Sequence, residues 1–355
     1  MINGIKSVDF FIKATGEGVI NHNGAISVYN PSAKAYIDNH LFPKLRGLDP
    51  MRKIANDEKT KGLSLGDPEL GNAVLIVSAN CIRSHIFKNV SFGIQDVTRA
   101  TAGDALASLH GLVRGYLITD GGANFARKSA LYLTDFECKN PQLTYNQASK
   151  AGARSETSIF SYFNTGSNLE YSAKGSLSIE DLQFIPLENS LGRSSYSEAI
   201  SEEEGTLIAT HITEYLCDLS GNKLVEATFV NNAIRKGSFA QNGEAGILLN
   251  THAIDVIVKE IIDMISSLYI RQGKGYLRVT DVVVDYNTGQ TLRAENDFSK
   301  AQEKNNQDYA LYYDVNPLPT QTFNDKMLAL KVQSKEKEKK KKKGGKQKYI
   351  TIKRD

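Results

Sequence analysis

The chain has no run approaching the roughly 18 consecutive apolar residues that a membrane span requires, so no transmembrane helix is expected. No charged, apolar, small-residue leader opens it, and a cytoplasmic location is expected. Its three cysteines, Cys81, Cys138 and Cys217, are far apart and odd in number, which excludes both a disulfide framework and a paired-cysteine metal knuckle. Six histidines are present, none with HExxH or His/Cys ligand spacing, so neither a metal nor a cofactor is indicated. GxxxxGK[ST] is missing, leaving no phosphate loop of the P-loop kind.

Bulk positive charge is also missing from most of the chain. Residues 331–355 hold 12 of the 43 Lys and Arg but only three of the 40 Asp and Glu, so residues 1–330 carry 31 cations against 37 acids, a net of −6. Any polyanion site in the body must therefore be a local arrangement of cations rather than a diffuse field. Residues 334–348, KEKEKKKKKGGKQK in character, are low in complexity and expected to be disordered. They are either a source of salt-dependent polyanion affinity or a solubilising tail.

The strongest pattern lies between Gly246 and Tyr286. Ile254, Ile257, Val258, Ile261, Ile262, Ile265 and Leu268 recur at helical spacing, with Asp255, Lys259, Glu260 and Asp263 opposite, predicting an amphipathic helix with Thr251 as N-cap. Apolar runs flank it, giving a strand–helix–strand unit against a sheet. Its second connection, Arg271–Gln272–Gly273–Lys274–Gly275–Tyr276, reads as a helix feeding a strand. Two cations and two glycines there suit either an anion-binding loop or a plain glycine C-cap with solvated cations.

Along the chain, Ile5 to Thr15 alternates as a strand central to the sheet, with Val8, Phe10 and Ile12 on one face. An irregular excursion of over 50 residues follows to about Gly71, with Lys44 and Arg46 in its middle; excursions of that length are usually functional. Ser78 or Asn80 caps the next helix, with Ile82, Ile86 and Phe87 inward and Arg83 and His85 in its first turns, where the helix dipole favours anions. His85 could equally be a partly buried structural histidine. Thr101 to Tyr116 reads as one helix ending in Arg114–Gly115, and Leu131 to Phe136 as a strand. A hairpin is expected around Thr165–Asn168, carrying Phe160, Tyr162, Phe163 and Tyr171 either as base-stacking platforms or as core. Glu202 to Cys217 is a helix with an acidic first turn.

Two chemistries remain. Asp281 and Asp285, four apart on the last strand and hence on one face, could hold Mg²⁺ in a palm-type enzyme, or could simply line the wet face of an antiparallel strand. A cation also recurs beside a glycine, at Arg46, Arg114, Lys174, Lys236 and Lys274, which suits a single-stranded polyanion tracked along its backbone. The element order resembles an expanded RNA-recognition, ferredoxin-like fold of the α+β class.

The stretches IKSVDFFIKA, DNHLFPKLRG, ANCIRSHIF, LASLHGLVRGY, AGARSETSIFS, GSLSIEDLQFI, AIRKGSF with GEAGILLN, and IRQGKGYLRVTDVVVDYN, in this order from about residue 4 to 287, resemble the repeating backbone subunit of type I CRISPR Cascade complexes. The likeness is closest to the minimal type I-F variant form, within the RAMP superfamily. It implies a palm of first strand 1–15, a finger-like insertion over 16–77, palm helices and strand over 78–150, a thumb hairpin and palm strand over 151–200 and the second palm half over 201–290. Residues 291–333 form an extension and 334–355 the lysine-rich tail, both outside the resemblance. The implied function is a non-catalytic filament subunit that polymerises head to tail along the spacer of a crRNA, capped by other Cascade subunits, with the guide pairing to target DNA. Its implied RNA contacts are Lys44, Arg46, Asn80, Arg83, His85, Arg114, Arg154, Arg235, Lys236, Arg271 and Lys274, while Tyr276 either stacks or packs. The alternatives are a general single-stranded RNA or DNA binder driven by the tail, and the palm-type enzyme using Asp281 and Asp285.

Overall fold

The computed structural model describes residues 2–22, 26–30, 35–39, 43–46, 74–90, 97–98, 100–119, 125–139, 143–149, 159–188, 195–196, 199–240, 242–272, 275–289, 301–304 and 307–344. Strand β1 (Ser7–Glu17) is central, as its alternation requires: Val8, Phe10, Ile12 and Ala14 point into the core. On one side β1 pairs antiparallel with β17 (Gly275–Asn287) and on the other with β12 (Leu169–Ser178). The principal sheet runs β16 (Tyr269–Gln272), β17, β1, β12, β9 (Phe136–Cys138), β5 (Val74–Val77), β4 (Leu45–Arg46), and β8 (Leu131–Leu133) also pairs with β12. A second antiparallel sheet orders β13 (Phe184–Pro186), β15 (Glu244–Leu249), β14 (Ala227–Arg235) and β18 (Tyr313–Val315). Three two-stranded ribbons complete it: β2 (Ile26–Asn30) with β3 (Ala35–Asn39), β6 (Tyr116–Ile118) with β7 (Phe125–Arg127), and β10 (Leu143–Ser149) with β11 (Ile159–Thr165). The molecule is thus α+β around a curled antiparallel sheet.

The helices among the described residues are α1 (Ala79–Ile86), α2 (Ala102–Leu106), α3 (Ile179–Gln183), α4 (Glu202–Ser220), α5 (Thr251–Ser266) and α6 (Thr320–Gly344). Ser201 and Glu204 close a reciprocal capping box on α4, whose acidic first turn matches its dipole. α5 buries Ile254, Ile257, Val258, Ile261 and Ile265, as their spacing demands. Its cap is Asn250, not Thr251: Asn250 is extended and its side chain accepts the Ala253 amide at 2.8 Å, which places Thr251 inside the first turn.

Several expectations need correction. The segment after α5 does not run from helix to strand. Tyr269–Gln272 forms β16, because Ile270 and Leu277 bury together across the pair, so Arg271–Tyr276 spans a hairpin turn. β15 and β17 belong to different sheets, and α5 therefore joins two sheets rather than flanking one. The helix predicted over Thr101–Tyr116 breaks into α2 and a π-helical turn, His110–Arg114. A Cβ on Gly111 would lie 2.2 Å from the Ala105 carbonyl oxygen, so this close packing of two short turns needs glycine. Thr134 splits the strand expected over Leu131–Phe136: its hydroxyl accepts the Lys174 amide at 2.9 Å and bends the chain between β8 and β9. The turn around Thr165–Asn168 joins strands that do not pair, since β11 pairs with β10 and β12 with β1. Finally, the lysine-rich stretch is not without structure. α6 continues to Gly344, because Lys, Glu and Gln are strong helix formers and their charges alternate at its start.

Candidate nucleic-acid interface

Helix α1 is fixed by its N-terminus. Ser78 accepts the Cys81 amide, and Asp135 accepts the Ala79 amide at 2.8 Å. Asp135 also takes a hydrogen bond from Arg46 at 2.8 Å, and Glu137 takes a second one. The end of α1 is thus capped by the Ser78 hydroxyl and the Asp135 carboxylate. Arg83 and His85 stand in its second turn, outside the reach of the N-terminal amides. Arg46 is neutralised there, its guanidinium pKa raised chiefly by the bond to Asp135. Lys44 sits half-buried beside it, near enough to Cys81 to offset part of the upward push that burial gives the thiol.

Arg83 opens onto a groove of about 850 Å³ at the end of the principal sheet where it meets the second sheet. Lys6 at the mouth of β1, Arg83, Lys128 before β8 and Arg235 at the end of β14 supply four cations to its wall, against Glu180 and Asp181 of α3. Lys128 pairs with Asp181 at 2.9 Å. Arg235 forks onto Glu180, lies 5.9 Å above the Tyr312 ring and has its pKa raised by the Glu180 bond. Lys6 and Arg83 have no carboxylate partner among the described residues.

Arg83 is the unusual member. Its Nη atoms reach only the Asn80 side chain at 3.4 Å and the Leu131 carbonyl at 3.5 Å, and its Nε is buried with no hydrogen-bond partner. Burial lowers its pKa. Arg114, at the end of the π-helical turn, is lowered by burial and then by Arg83 itself, so the two guanidinium groups are close enough to repel. Behind them His110 packs on Phe87 at 5.6 Å, and burial pushes its pKa down to about 4, so it adds no charge at neutral pH. Two partly desolvated guanidinium groups with no described counterion form a place where an anion would be welcome.

The remaining predicted contacts lie apart from this cluster. His85 donates Nδ1–H to the Cys81 carbonyl at 2.8 Å, and its ring faces a different groove of mixed polarity between α1, α4 and α5. Lys236 is 3.6 Å from Asp314. Arg271 is exposed on edge strand β16, where Tyr269 and the half-exposed Tyr276 approach at 6.3 Å between ring centroids. Arg154 and Lys274 lie outside the described residues. The cation–glycine pairs share no geometry: Gly115 and Gly237 adopt positive φ, whereas Gly175 sits mid-strand under Leu133, so Lys174 is not on a loop. Sequence reasoning passed over Lys6 and Lys128 as contacts; their signal was position, at the ends of β1 and β7, rather than a motif. Arg127, beside Lys128, is structural, buried and donating to the carbonyls of Gly111, Leu112 and Asp181.

Asp281 and Asp285 do share a face of β17 but not an environment. Asp281 is half-exposed and paired with Lys13 at 3.1 Å, while Asp285 is buried opposite Asp9. Asp9 accepts from Ser176 at 2.6 Å and Asn287 at 3.0 Å, and Asp285 accepts the Gln302 amide at 2.6 Å. Among the described residues no three His, Cys, Asp or Glu side chains gather in a metal-holding group. Nor is any described helix long and apolar enough to cross a membrane.

An α+β scaffold that opens the unneutralised Arg83 guanidinium onto a groove, with Arg114 close beside it, within an otherwise acidic body, defines the class of proteins that bind a polyanion backbone. Residues 4–316 match the family described as Type I-Fv CRISPR-associated protein Cas7fv-like, and the chain belongs to that family. It is the crRNA-binding backbone subunit of a type I CRISPR complex, a component of prokaryotic antiviral defence. The match continues past residue 287, where the likeness was expected to stop, and takes in β18. No curated protein matches the chain.

Proposed function

We propose that the subunit polymerises head to tail along the spacer of a crRNA in the cytoplasm, holding the guide backbone in the Arg83 groove while the bases remain free to pair with invading DNA. The observation that carries this reading is the Arg83 guanidinium, desolvated, with a bare Nε and no described counterion. A phosphate would satisfy it, and the neighbouring Lys6, Lys128 and Arg114 would add charge without reading sequence. The role is structural rather than catalytic, and other Cascade subunits cap the filament.

The antiparallel order β17, β1, β12, then β8 and β9, with α1 between the first and second of these in sequence and α5 before the last, supports a palm of the RNA-recognition type. The pairing of β10 with β11 favours a thumb hairpin that begins near residue 143, ahead of the segment expected from sequence. The β2–β3 ribbon belongs to the finger-like insertion. Purification through high salt, followed by sequencing of the retained RNA, tests the proposal. Short repeat–spacer RNAs in a large assembly with periodic nuclease protection are expected; heterogeneous RNA released by salt would overturn it.

A further inference from the structure

Residues 317–355 lie outside the family match, yet α6 is built onto the fold. Phe323 is fully buried and meets Phe229 of β14 edge-on at 6.2 Å, Met327 is buried beside it, and Leu330 packs against the core. Lys326 donates to the buried Glu188 carboxylate at 2.6 Å and to the Gly243 carbonyl at 2.9 Å. The first three turns are therefore a fixed root. Past Leu330 the described side chains are exposed: Lys331, Val332, Gln333, Lys335, Glu336 and Lys339.

Residues 331–344 contain eight lysines and two glutamates, a net of +6, and at 1.5 Å per residue they make an arm about 21 Å long. Lys331, Lys335 and Lys339, spaced four apart on one helix face, are all exposed, and the sequence of the arm has no continuous apolar stripe. That pattern lacks the apolar face a membrane-surface helix or a partner helix requires. It matches instead the contour of a phosphate chain, since duplex DNA carries one charge per roughly 1.7 Å and so about 12 along the arm. We infer that the distal part of α6 is a cationic arm, rooted on β14, that grips the phosphodiester backbone of nucleic acid outside the guide groove and without sequence preference. This stands apart from the guide-binding reading.

The test compares the full chain with two variants, one lacking residues 331–355 and one with Lys339 to Lys343 each changed to Gln, which preserves helix propensity and the root. Binding is measured by salt titration with a duplex DNA of random sequence and, separately, a single-stranded RNA. In both variants at least one probe should bind about tenfold or more weakly near 0.1 M salt, with the log–log salt slope shallower by about 3 to 5. The probe affected identifies the source of the phosphates. Co-purified RNA and the thermal midpoint should not change. Unchanged affinity and slope for both probes would refute the inference, as would a loss confined to an acidic polypeptide such as polyglutamate.

Discussion

Replacing Arg83 by Met should weaken RNA binding while leaving the RNA-free protein at least as stable, and the opposite signs are the point. In the free subunit Arg83 makes two hydrogen bonds at the outer limit of distance and leaves Nε unpaired, while Arg114 repels it. Met keeps most of the packing volume. Its introduction forfeits about half a kcal/mol of weak bonds but relieves an unsatisfied donor worth about 1 kcal/mol, for a net change between zero and roughly +1 kcal/mol. Bound to a phosphate, the same guanidinium would make charge-assisted bonds of about 1.5–3 kcal/mol, so its loss costs roughly 10- to 150-fold in affinity at one subunit. Arg83→Lys, which keeps the charge but loses the fork, should fall between the two. Fluorescence anisotropy with a spacer-length RNA, paired with thermal melting of RNA-free protein, reads both quantities. A melting point several degrees lower with RNA affinity unchanged would show that Arg83 is a structural residue and would remove the central support for the groove.

Other outcomes follow from the same geometry. Arg127→Met removes the donor shared by three carbonyls and should cost about 2–4 kcal/mol, read as a lower denaturant midpoint. Gly111→Ala forces a Cβ against the Ala105 carbonyl and should destabilise by about 1–3 kcal/mol in the same assay. His110, whose pKa is lowered from 6.5 to about 4, stays neutral in the fold while the unfolded chain takes up a proton; stability therefore falls as pH drops from 6.5 towards 4. His110→Gln should flatten that part of a pH–stability curve. Asp281→Ala breaks only a half-exposed ion pair and should change stability by less than about 1 kcal/mol, with no Mg²⁺-dependent turnover to lose. Detectable turnover abolished by the substitution would revive the palm-enzyme reading.

The long elements were legible because their periodicity is local. α5 and β1 announce themselves in the spacing of Ile254 and Phe10, each buried as expected, and α4 in its acidic first turn. What escaped was decided at long range. The apolar spacing through Leu106, Leu109 and Leu112 fits one helix, and only the contact of Gly111 with the Ala105 backbone reveals two. The turn at Thr165–Asn168 looks the same whether or not its flanking strands pair, and β11 found its partner in β10 instead. The site shows the same division. Sequence supplied the cations but not their partners, and a guanidinium beside Glu180, 55 residues away, differs electrostatically from one beside a second arginine. Arg83 and Arg114 were visible as residues; their lack of described counterions was not.

The buried polar ladder of Ser7, Asp9, Asn287 and Asp285 has a consequence for how this sheet can vary. Its members face each other across β1 and β17, and the only shift in their pairing falls between Lys13 and Ala14, next to Thr280. Moving β17 by one residue below that point would turn Asp285 towards the Val8 and Phe10 layer, where a carboxyl group loses its donors. The ladder thus works as a key cut for one lock position. Length changes can accumulate in the turn before Gly275 or be taken up at the bulge, whereas the seven residues from Asp281 to Asn287 are held to a fixed count.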